Sequence, residues 1–169
     1  MTCWPSPPLS AVIGIVGAVG AFSVSGADVV RVARTFCEIK GVRPAVRYRH
    51  QGRSREGVDC IGLPVCVRAE LGLPAMDESG YAKRSTGTEM LDYCRANMVA
   101  VDRSSLQPGD LLVQMTGQLR HIAIVGDYPG GGLSIIHAHL PNKKVVECRL
   151  DGQIMKTVRG SVRFPEVTA

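Results

Sequence analysis

Apolar residues in the first part of the chain recur with the spacing of helices. In residues 28–39 the apolar side chains fall on one face, and Asp28 precedes them as a candidate N-cap. Residues 60–71 carry a second apolar stripe, which Gly72 ends. A third and weaker helical pattern covers residues 88–97. The sequence therefore predicts three helices before the pattern changes.

After the third helix the apolar residues alternate with a period of two. The alternation is interrupted by Gly, Pro and Asn, which are typical of turns. It predicts five strands, at residues 111–115, 121–126, 133–138, 144–150 and 161–164. Helices followed by an antiparallel meander form an α+β plan. We therefore expect an α+β fold in which N-terminal helices pack on an antiparallel sheet of about five strands.

The first 27 residues differ in composition from the rest of the chain. They contain no Lys, Arg, Asp or Glu, and residues 11–22 are all small or apolar. This run is shorter than the roughly 20 residues of a membrane span. It has the length of a signal-peptide core, but the positively charged start is missing. We interpret residues 1–27 as an apolar arm that packs on a neighbouring subunit, with a signal peptide as the alternative, and residues 28–169 as the domain.

Composition limits the classes of protein that fit this chain. Its 169 residues are enough for one domain with a sizeable core, and 45% apolar with 21% charged residues indicates a globular protein. The net charge of +5 favours an anionic neighbourhood such as nucleic acid, a cell-wall polymer or a membrane surface. The basic residues are scattered and only 5% of residues are aromatic, which argues against a nucleic-acid platform.

Cys60 stands out among the six cysteines. None of the six forms a C-x-x-C pair, so a zinc ribbon or thioredoxin-like motif has no support. Cys60 lies at the start of the second predicted helix, where the dipole and free N–H groups stabilise a thiolate and can receive an oxyanion. Proline is tolerated only in the first turn of a helix. Pro64 therefore predicts a helix that begins about one residue after Cys60, or one with a distorted first turn.

Two histidines on neighbouring strands are candidate partners for this thiol. A turn at residues 127–132 predicts a hairpin, and if Gly126 pairs with Gly132, His121 lies opposite His137. The two are an even number of residues apart, so both side chains lie on one face, with Cβ atoms roughly 5 Å apart. His139 shares this face but lies on the diagonal. We therefore prefer His137 as the partner of His121.

Each of these residues also has a plainer interpretation. A lone cysteine usually belongs to a core, and a lone strand histidine is usually a satisfied core or surface residue. His137 and His139 on one strand face, with Cys148 nearby, are also compatible with a metal site, although no further ligand stands at a recognisable spacing. The combination of Cys60, His121 and His137 favours a thiol hydrolase without a metal.

Several segments together resemble the NlpC/P60 family of cysteine peptidases, which cut peptidoglycan stem peptides. The resemblance spans about residues 28–165. A continuation of the match resembles the subgroup encoded in phage tail operons and prophages. The segments that carry the family resemblance are Tyr48-Arg-His-Gln-Gly52, Gly57-Val-Asp-Cys60-Ile-Gly-Leu63, Leu106-Gln-Pro-Gly-Asp110-Leu-Leu, His121-Ile-Ala-Ile-Val-Gly-Asp127 and Ile136-His137-Ala138, and those of the phage subgroup are His137-Ala-His139, Val145-Val-Glu147 and Val162-Arg-Phe-Pro165.

This resemblance implies a papain-like α+β core and a set of roles. Cys60 would be the nucleophile, His121 the general base and acid, and His137 the residue that orients His121. Tyr48 and the backbone beside Ile61 would line the oxyanion site. The family commonly has Ser where this chain has Ile61. No metal or organic cofactor is implied.

The resemblance also implies a substrate and a setting. The expected bond lies between γ-D-glutamyl and the diamino acid of the stem peptide. The expected setting is a phage tail tip, where the protein would help local wall degradation during DNA entry and bind other tail-tip proteins through residues 1–27. We expect no nucleic-acid partner and no stable membrane span. The alternatives are a secreted or periplasmic enzyme, a structural tail-tip protein with little or no activity, and an amidase or acyltransferase on the same core.

Two basic residues near Cys60 have two interpretations. Arg53 and Arg55 are candidates to meet the carboxylates of a stem peptide. The preferred interpretation is an ordinary solvated loop.

Overall fold

The structure is a computed structural model that describes residues 23–82, 88–117 and 119–168. Most of the predicted apolar arm, residues 1–22, lies outside these ranges. No helix in the described ranges is both long enough and apolar enough to cross a membrane.

The described part of the chain contains four α-helices, one short 3-10 helix and ten strands. The helices are α1 (Gly26–Arg34), α2 (Gly62–Glu70), α3 (Glu89–Asn97) and α4 (Gly152–Thr157), and the 3-10 helix is Arg103–Ser105. The strands are β1 (Val24–Ser25), β2 (Arg53–Ser54), β3 (Gly57–Val58), β4 (Val99–Ala100), β5 (Leu111–Thr116), β6 (Leu119–Asp127), β7 (Leu133–His139), β8 (Lys144–Arg149), β9 (Val158–Arg163) and β10 (Val167–Thr168).

The main sheet has six antiparallel strands in the order β4-β9-β5-β6-β7-β8. Strands β5 to β8 form the predicted meander. Strand β9 returns to the other side of β5, and the two-residue β4 extends that edge. The five predicted strands are therefore present, and the predicted α+β fold is confirmed.

Helix α1 begins with a capping box. The Ser25 hydroxyl accepts a hydrogen bond from the Asp28 N–H (3.2 Å), and an Asp28 carboxylate oxygen accepts one from the Ser25 N–H (3.1 Å). Ser25 is therefore the N-cap, and the prediction of Asp28 as the cap is wrong, because Asp28 fills the third position instead. The helix ends before the predicted residue 39. The backbone N–H groups of Thr35 and Phe36 donate to carbonyls three residues earlier, that of Val32 in the case of Thr35, so the chain forms a tight turn after the helix.

Residues 24–27, within the predicted arm, belong to β1 and the first turn of α1. Strand β1 pairs in parallel with β10, so the two ends of the described chain meet. A Cβ on Gly26 would come within 2.0 Å of the Pro108 carbonyl oxygen. This contact brings the start of α1 against the turn before β5.

Helices cover the apolar surface of the main sheet in two clusters. In the larger cluster α1 and α2 pack on the sheet, and its fully buried members include Val29, Ala33, Leu63, Val67, Ile124 and Ile136. In the smaller cluster α4 contributes Ile154 and Met155, which pack against Leu112, Val125 and Ile135. The sequence did not predict α4, because its six residues are too few to display a helical period.

Candidate active site

A cavity of about 920 Å³ collects all the predicted site residues. Its walls come from α2, the segment after α2, α3, the β5–β6 and β7–β8 hairpins, and α4. The predicted residues along these walls are Tyr48, Cys60, Ile61, His121 and His137. The cavity is lined mostly by apolar side chains.

Cys60 lies in the turn directly before α2, at the mouth of the helix. The regular helix begins at Gly62, and Ile61 occupies the N-cap position without a side-chain cap. The missing cap is supplied by Asp59, whose carboxylate accepts a hydrogen bond from the Gly62 N–H at 2.8 Å. Pro64 falls in the first turn, where its lack of an N–H has no consequence. The first of the two predicted arrangements, a helix that begins after Cys60, is therefore the one observed.

Asp59 also connects two loops to the turn that contains Cys60 through hydrogen bonds. Its side chain is 1% exposed and accepts hydrogen bonds from the Gln51 N–H (2.7 Å) and the Tyr81 hydroxyl (2.6 Å). The Arg53 guanidinium lies 3.3 Å from its other oxygen. A buried carboxylate is tolerated because donors surround it. The backbone on both sides of Cys60 is thereby held in place.

The Cys60 thiol is protonated in the resting protein. Burial, with a smaller effect of the neighbouring Asp59 carboxylate, raises its pKa to about 11. The backbone N–H groups of Ile122, Cys60 and Ile61 face the sulfur and lower the pKa, but by less. The predicted stabilisation of the thiolate by N–H groups at the helix end is therefore present, but it is smaller than the effect of burial. Desolvation raises the pKa of the thiol by more than the N–H groups at the helix end lower it.

His121 and His137 form a direct hydrogen bond. The His121 Nε2 and His137 Nδ1 atoms are 2.6 Å apart, and the ring planes meet at 72°. Burial, with smaller contributions from repulsion between the neighbouring imidazoles in their protonated forms, lowers the pKa of His121 to about 4 and that of His137 to about 3. Both rings are therefore neutral at pH 7.

The hairpin register that brings the two rings together differs from the predicted one. Gly126 pairs with Ser134, not with Gly132, because Gly132 has a positive φ of 86° and belongs to the turn. The shift is two residues, and an even shift leaves every side chain on its face. The prediction of directly opposed histidines is wrong in register, but the predicted contact between His121 and His137 is present.

His139 lies beside this pair without replacing His137. Its ring centroid is 5.0 Å from that of His137, and its buried Nδ1 has no hydrogen-bond partner in the described structure. On the other side of His137, the Cys148 sulfur lies 3.8 Å from Nε2. Within the described ranges no group of three or more His, Cys, Asp or Glu side chains has the geometry to hold a metal ion. The geometry therefore does not favour the metal-site alternative.

Tyr48 lies next to the thiol. Burial, with smaller effects of Cys60 and Asp59, raises the pKa of its hydroxyl to about 12. Its backbone N–H donates to the Lys143 carbonyl at 2.8 Å, and Tyr48 bridges to Val58. The hydroxyl therefore stays protonated and available as a donor near the sulfur.

Arg53 and Arg55 are already engaged by protein groups. Arg53 Nε donates to the Asp77 carboxylate at 2.9 and 3.0 Å. Arg55 pairs with Glu70 at 2.5 Å, and its guanidinium stacks 3.8 Å from the Phe36 ring centroid. These contacts assign both arginines to the framework around the site rather than to the capture of a substrate carboxylate.

Tyr81 and Gln114 are among the cavity residues that the sequence did not predict. Tyr81 belongs to a segment without any period, so no pattern signals it. Gln114 is 7% exposed and pairs directly with His121 across the β5–β6 hairpin. A hairpin register counted outward from a two-residue turn at residues 117–118 would have found it, because that register places residues 114 and 121 opposite each other.

The chain is similar to known proteins over most of its length. The model of the NlpC/P60 family matches residues 45–163. The NlpC/P60 domain of the peptidoglycan hydrolase SagA has 22% identity and a TM-score of 0.55, over 83% of this chain and 100% of that one. An NlpC/P60 family protein from Bacillus cereus has 22% identity and a TM-score of 0.59, over 84% of this chain and 41% of that one.

A third solved structure and a search of curated proteins complete the comparison. The peptidoglycan hydrolase RipB from Mycobacterium tuberculosis has 19% identity and a TM-score of 0.51, over 82% of this chain and 65% of that one. No curated protein matches the chain. At these identities the structures establish a common fold, which confirms the papain-like α+β core.

Proposed function

Because the chain belongs to the NlpC/P60 family, we propose that it is a cysteine peptidase that hydrolyses peptidoglycan stem peptides. The observation that carries the proposal is a cysteine at the mouth of a helix, in one cavity with a hydrogen-bonded pair of histidines. Two proteins that share the fold, SagA and RipB, are peptidoglycan hydrolases. The expected bond lies between γ-D-glutamyl and the diamino acid.

Cys60 is the proposed nucleophile. Its sulfur attacks the peptide carbonyl carbon, and the carbonyl oxygen becomes an oxyanion. The backbone N–H groups of Cys60 and Ile61 face the sulfur and are the proposed donors to that oxyanion, together with the Tyr48 hydroxyl. Such donors stabilise the charge that develops in the transition state.

His121 is the proposed general base and acid. At pH 7 the thiol and both imidazoles are neutral, so the Cys60 proton must move to His121 as the carbon–sulfur bond forms. His121 Nε2 is engaged by His137, which leaves Nδ1 to take this proton. The imidazolium then protonates the leaving amine as the carbon–nitrogen bond breaks. Water, deprotonated by His121, hydrolyses the thioester and regenerates the thiol.

The test is hydrolysis of purified peptidoglycan followed by product analysis by mass spectrometry. The wild-type protein is expected to release fragments with a new amino terminus at the diamino acid. Cys60→Ala is expected to release none. The matched control is Cys66→Ala, which removes a buried thiol from the same helix outside the cavity wall. Equal activity of wild type and Cys60→Ala would exclude the proposed mechanism.

The apolar lining of the cavity favours acyl transfer or amide hydrolysis on the same core as a second candidate. Apolar side chains at its wall include Ile61, Met90, Met98, Leu119 and Leu140. A cavity of this character accommodates an acyl chain. Assays with acyl esters of increasing chain length distinguish the candidates, because a peptidase acting on stem peptides gains no rate from a longer chain.

The proposed setting is a phage tail tip, with a secreted or periplasmic enzyme as the alternative. Support comes from the segments after His137 that resemble the phage subgroup, and from the apolar residues 1–22 as a candidate contact for other tail proteins. Fractionation of cells that express the chain natively tests the setting. Recovery with tail particles supports the tail tip, and recovery in the periplasm or medium supports the alternative. Tail particles that assemble with Cys60→Ala but fail to degrade cell walls would separate an enzymatic from a purely structural role.

A further inference from the structure

Polar side chains form a row across four adjacent strands of the main sheet. Gln114 on β5 pairs with His121 on β6. His121 is bonded to His137 on β7, and the His137 Nε2 atom lies 3.8 Å from the sulfur of Cys148 on β8. Cys148 pairs with Ile135, which makes it the diagonal neighbour of His137 on the same face. Cys148 is thus the last member of the row that contains the two histidines.

The proposed proton transfer constrains where the hydrogens in this row lie. A neutral imidazole carries one N–H. For His121 to take a proton at Nδ1, its own hydrogen must be on Nε2, which then donates to His137 Nδ1. An accepting Nδ1 places the His137 hydrogen on Nε2. That N–H points at the Cys148 sulfur, which is a weak acceptor.

We infer that Cys148 is a positioning residue that keeps His137 in the Nε2–H tautomer and so keeps His121 ready to act as a base. The inference rests on the proposed function, which it deepens. With the opposite arrangement, a Cys148 S–H donates to His137 Nε2, His137 Nδ1–H donates to His121, and the His121 hydrogen moves to Nδ1. That state cannot accept the proton of Cys60. The direction of the hydrogen bond between Cys148 and His137 therefore determines whether the histidine pair is competent.

The environment of Cys148 suits this role. It is partly buried against the smaller apolar cluster and also lines the cavity. Burial raises the pKa of its thiol, and the nearby Asp151 and Glu147 carboxylates raise it further, so the sulfur remains neutral at pH 7. The only change needed to remove the acceptor is loss of the sulfur. Cys148→Ala does this, and Cys148→Ser keeps an acceptor of similar size.

The first test reads the tautomer directly and does not depend on activity. Protein labelled with 15N-histidine is studied by long-range 1H–15N correlation spectra, and His137→Gln assigns the His137 signals. We expect the Nε2–H tautomer of His137 in wild type and in Cys148→Ser, and a mixture of tautomers in Cys148→Ala. An Nδ1–H tautomer in wild type, or unchanged spectra in Cys148→Ala, would overturn the inference. This result stands even if the protein proves to have no peptidase activity.

The second test is kinetic. Loss of one weak hydrogen bond is expected to lower kcat roughly fivefold in Cys148→Ala with KM unchanged, while Cys148→Ser retains most of the wild-type kcat. In a His137→Ala background the Cys148→Ala change is expected to have no further effect, because the residue acts through His137. An equal loss in both backgrounds, or a change confined to KM, would contradict a positioning role. Thermal melting of each variant confirms that it is folded.

Discussion

The Cys60 thiol is subject to two opposing effects of its position. The helix end presents backbone N–H groups that favour the thiolate, whereas burial beside the Asp59 carboxylate favours the thiol. The effect of burial is the larger one, so the resting form of Cys60 is the thiol and not the reactive thiolate. The groups that lower the pKa are the same donors that would stabilise an oxyanion. Under the proposed mechanism, these donors would stabilise the charge that develops on the substrate rather than a charge on the resting sulfur.

Alkylation of the resting protein measures this balance. The rate of iodoacetamide reaction at Cys60 is expected to keep rising up to about pH 11, because only the thiolate reacts and burial raises the pKa to that value. An unperturbed cysteine levels off near its pKa of about 8.5. Mass spectrometry of the digested protein separates Cys60 from the other cysteines, and Cys60→Ala provides the blank. A rate that levels off below about pH 8 would show a resting thiolate instead.

The sequence was informative about single residues where chemistry and chain position coincide. Cys60 was predicted from its place before an apolar helix, and His137 from its spacing to His121. The role of Asp59 was not predicted, because its hydrogen-bond donors, which include Gln51, Gly62 and Tyr81, come from separate segments that only the fold brings together. The burial that raises the pKa of Cys60 was not predicted, because burial depends on tertiary packing.

The start of helix α2 packs closely against the backbone beside the hairpin formed by β2 and β3. A Cβ on Gly62 would lie 1.9 Å from the Gly52 carbonyl oxygen, which is too close for any side chain. A Cβ on Gly52 would likewise come too close to the Gly57 carbonyl oxygen. The absence of side chains at these positions lets the backbone of the hairpin approach the helix end. This approach sets the position of Cys60 relative to the cavity.

Substitution of Gly62 by Ala tests how much this contact stabilises the protein. The added Cβ must displace the backbone at Gly52, and overpacking of this kind costs roughly 1–3 kcal/mol in the free energy of unfolding. Urea denaturation measures the change. Gly152→Ala is the matched control, since a Cβ there meets nothing within 4 Å at another helix start. If Gly62→Ala were as stable as Gly152→Ala, the close approach would have no structural role.

The same elements show which parts of the fold the sequence could predict. The meander from β5 to β8 and the helix α3 followed from periodicity, because each runs for enough residues to repeat. The hairpin register did not, because Gly132 has a positive φ and belongs to the turn, so the loop lies one residue further along the chain than predicted. Likewise α4 and β4 are too short to show a period. Length, rather than chemistry, separated the predicted elements from the missed ones.

His121 and His137 are both neutral in the folded protein at pH 7. The stability of the whole molecule is therefore expected to depend on pH in the acidic range. His121 and His137 have folded-state pKa values of about 4 and about 3, below the ordinary value of 6.5. The unfolded chain therefore binds more protons than the folded one between these limits. Their contribution to stability is fully present above about pH 6.5 and is lost as the pH falls towards the folded-state values. His139 and Cys148, which face the pair, share this environment.

Urea denaturation as a function of pH therefore reports on the pair in the folded protein. The free energy of unfolding is expected to fall as the pH is lowered from about 6.5 to about 4, because the buried rings resist protonation. The Asp28 carboxylate, whose pKa is lowered to about 2, loses its contribution only below its ordinary value of 3.8 and so does not interfere. His137→Gln removes one titrating ring while keeping a polar side chain, and its stability is expected to depend less steeply on pH over the same interval. Equal slopes for the two proteins would mean that His137 is already charged at pH 6, which is incompatible with a buried neutral partner for His121.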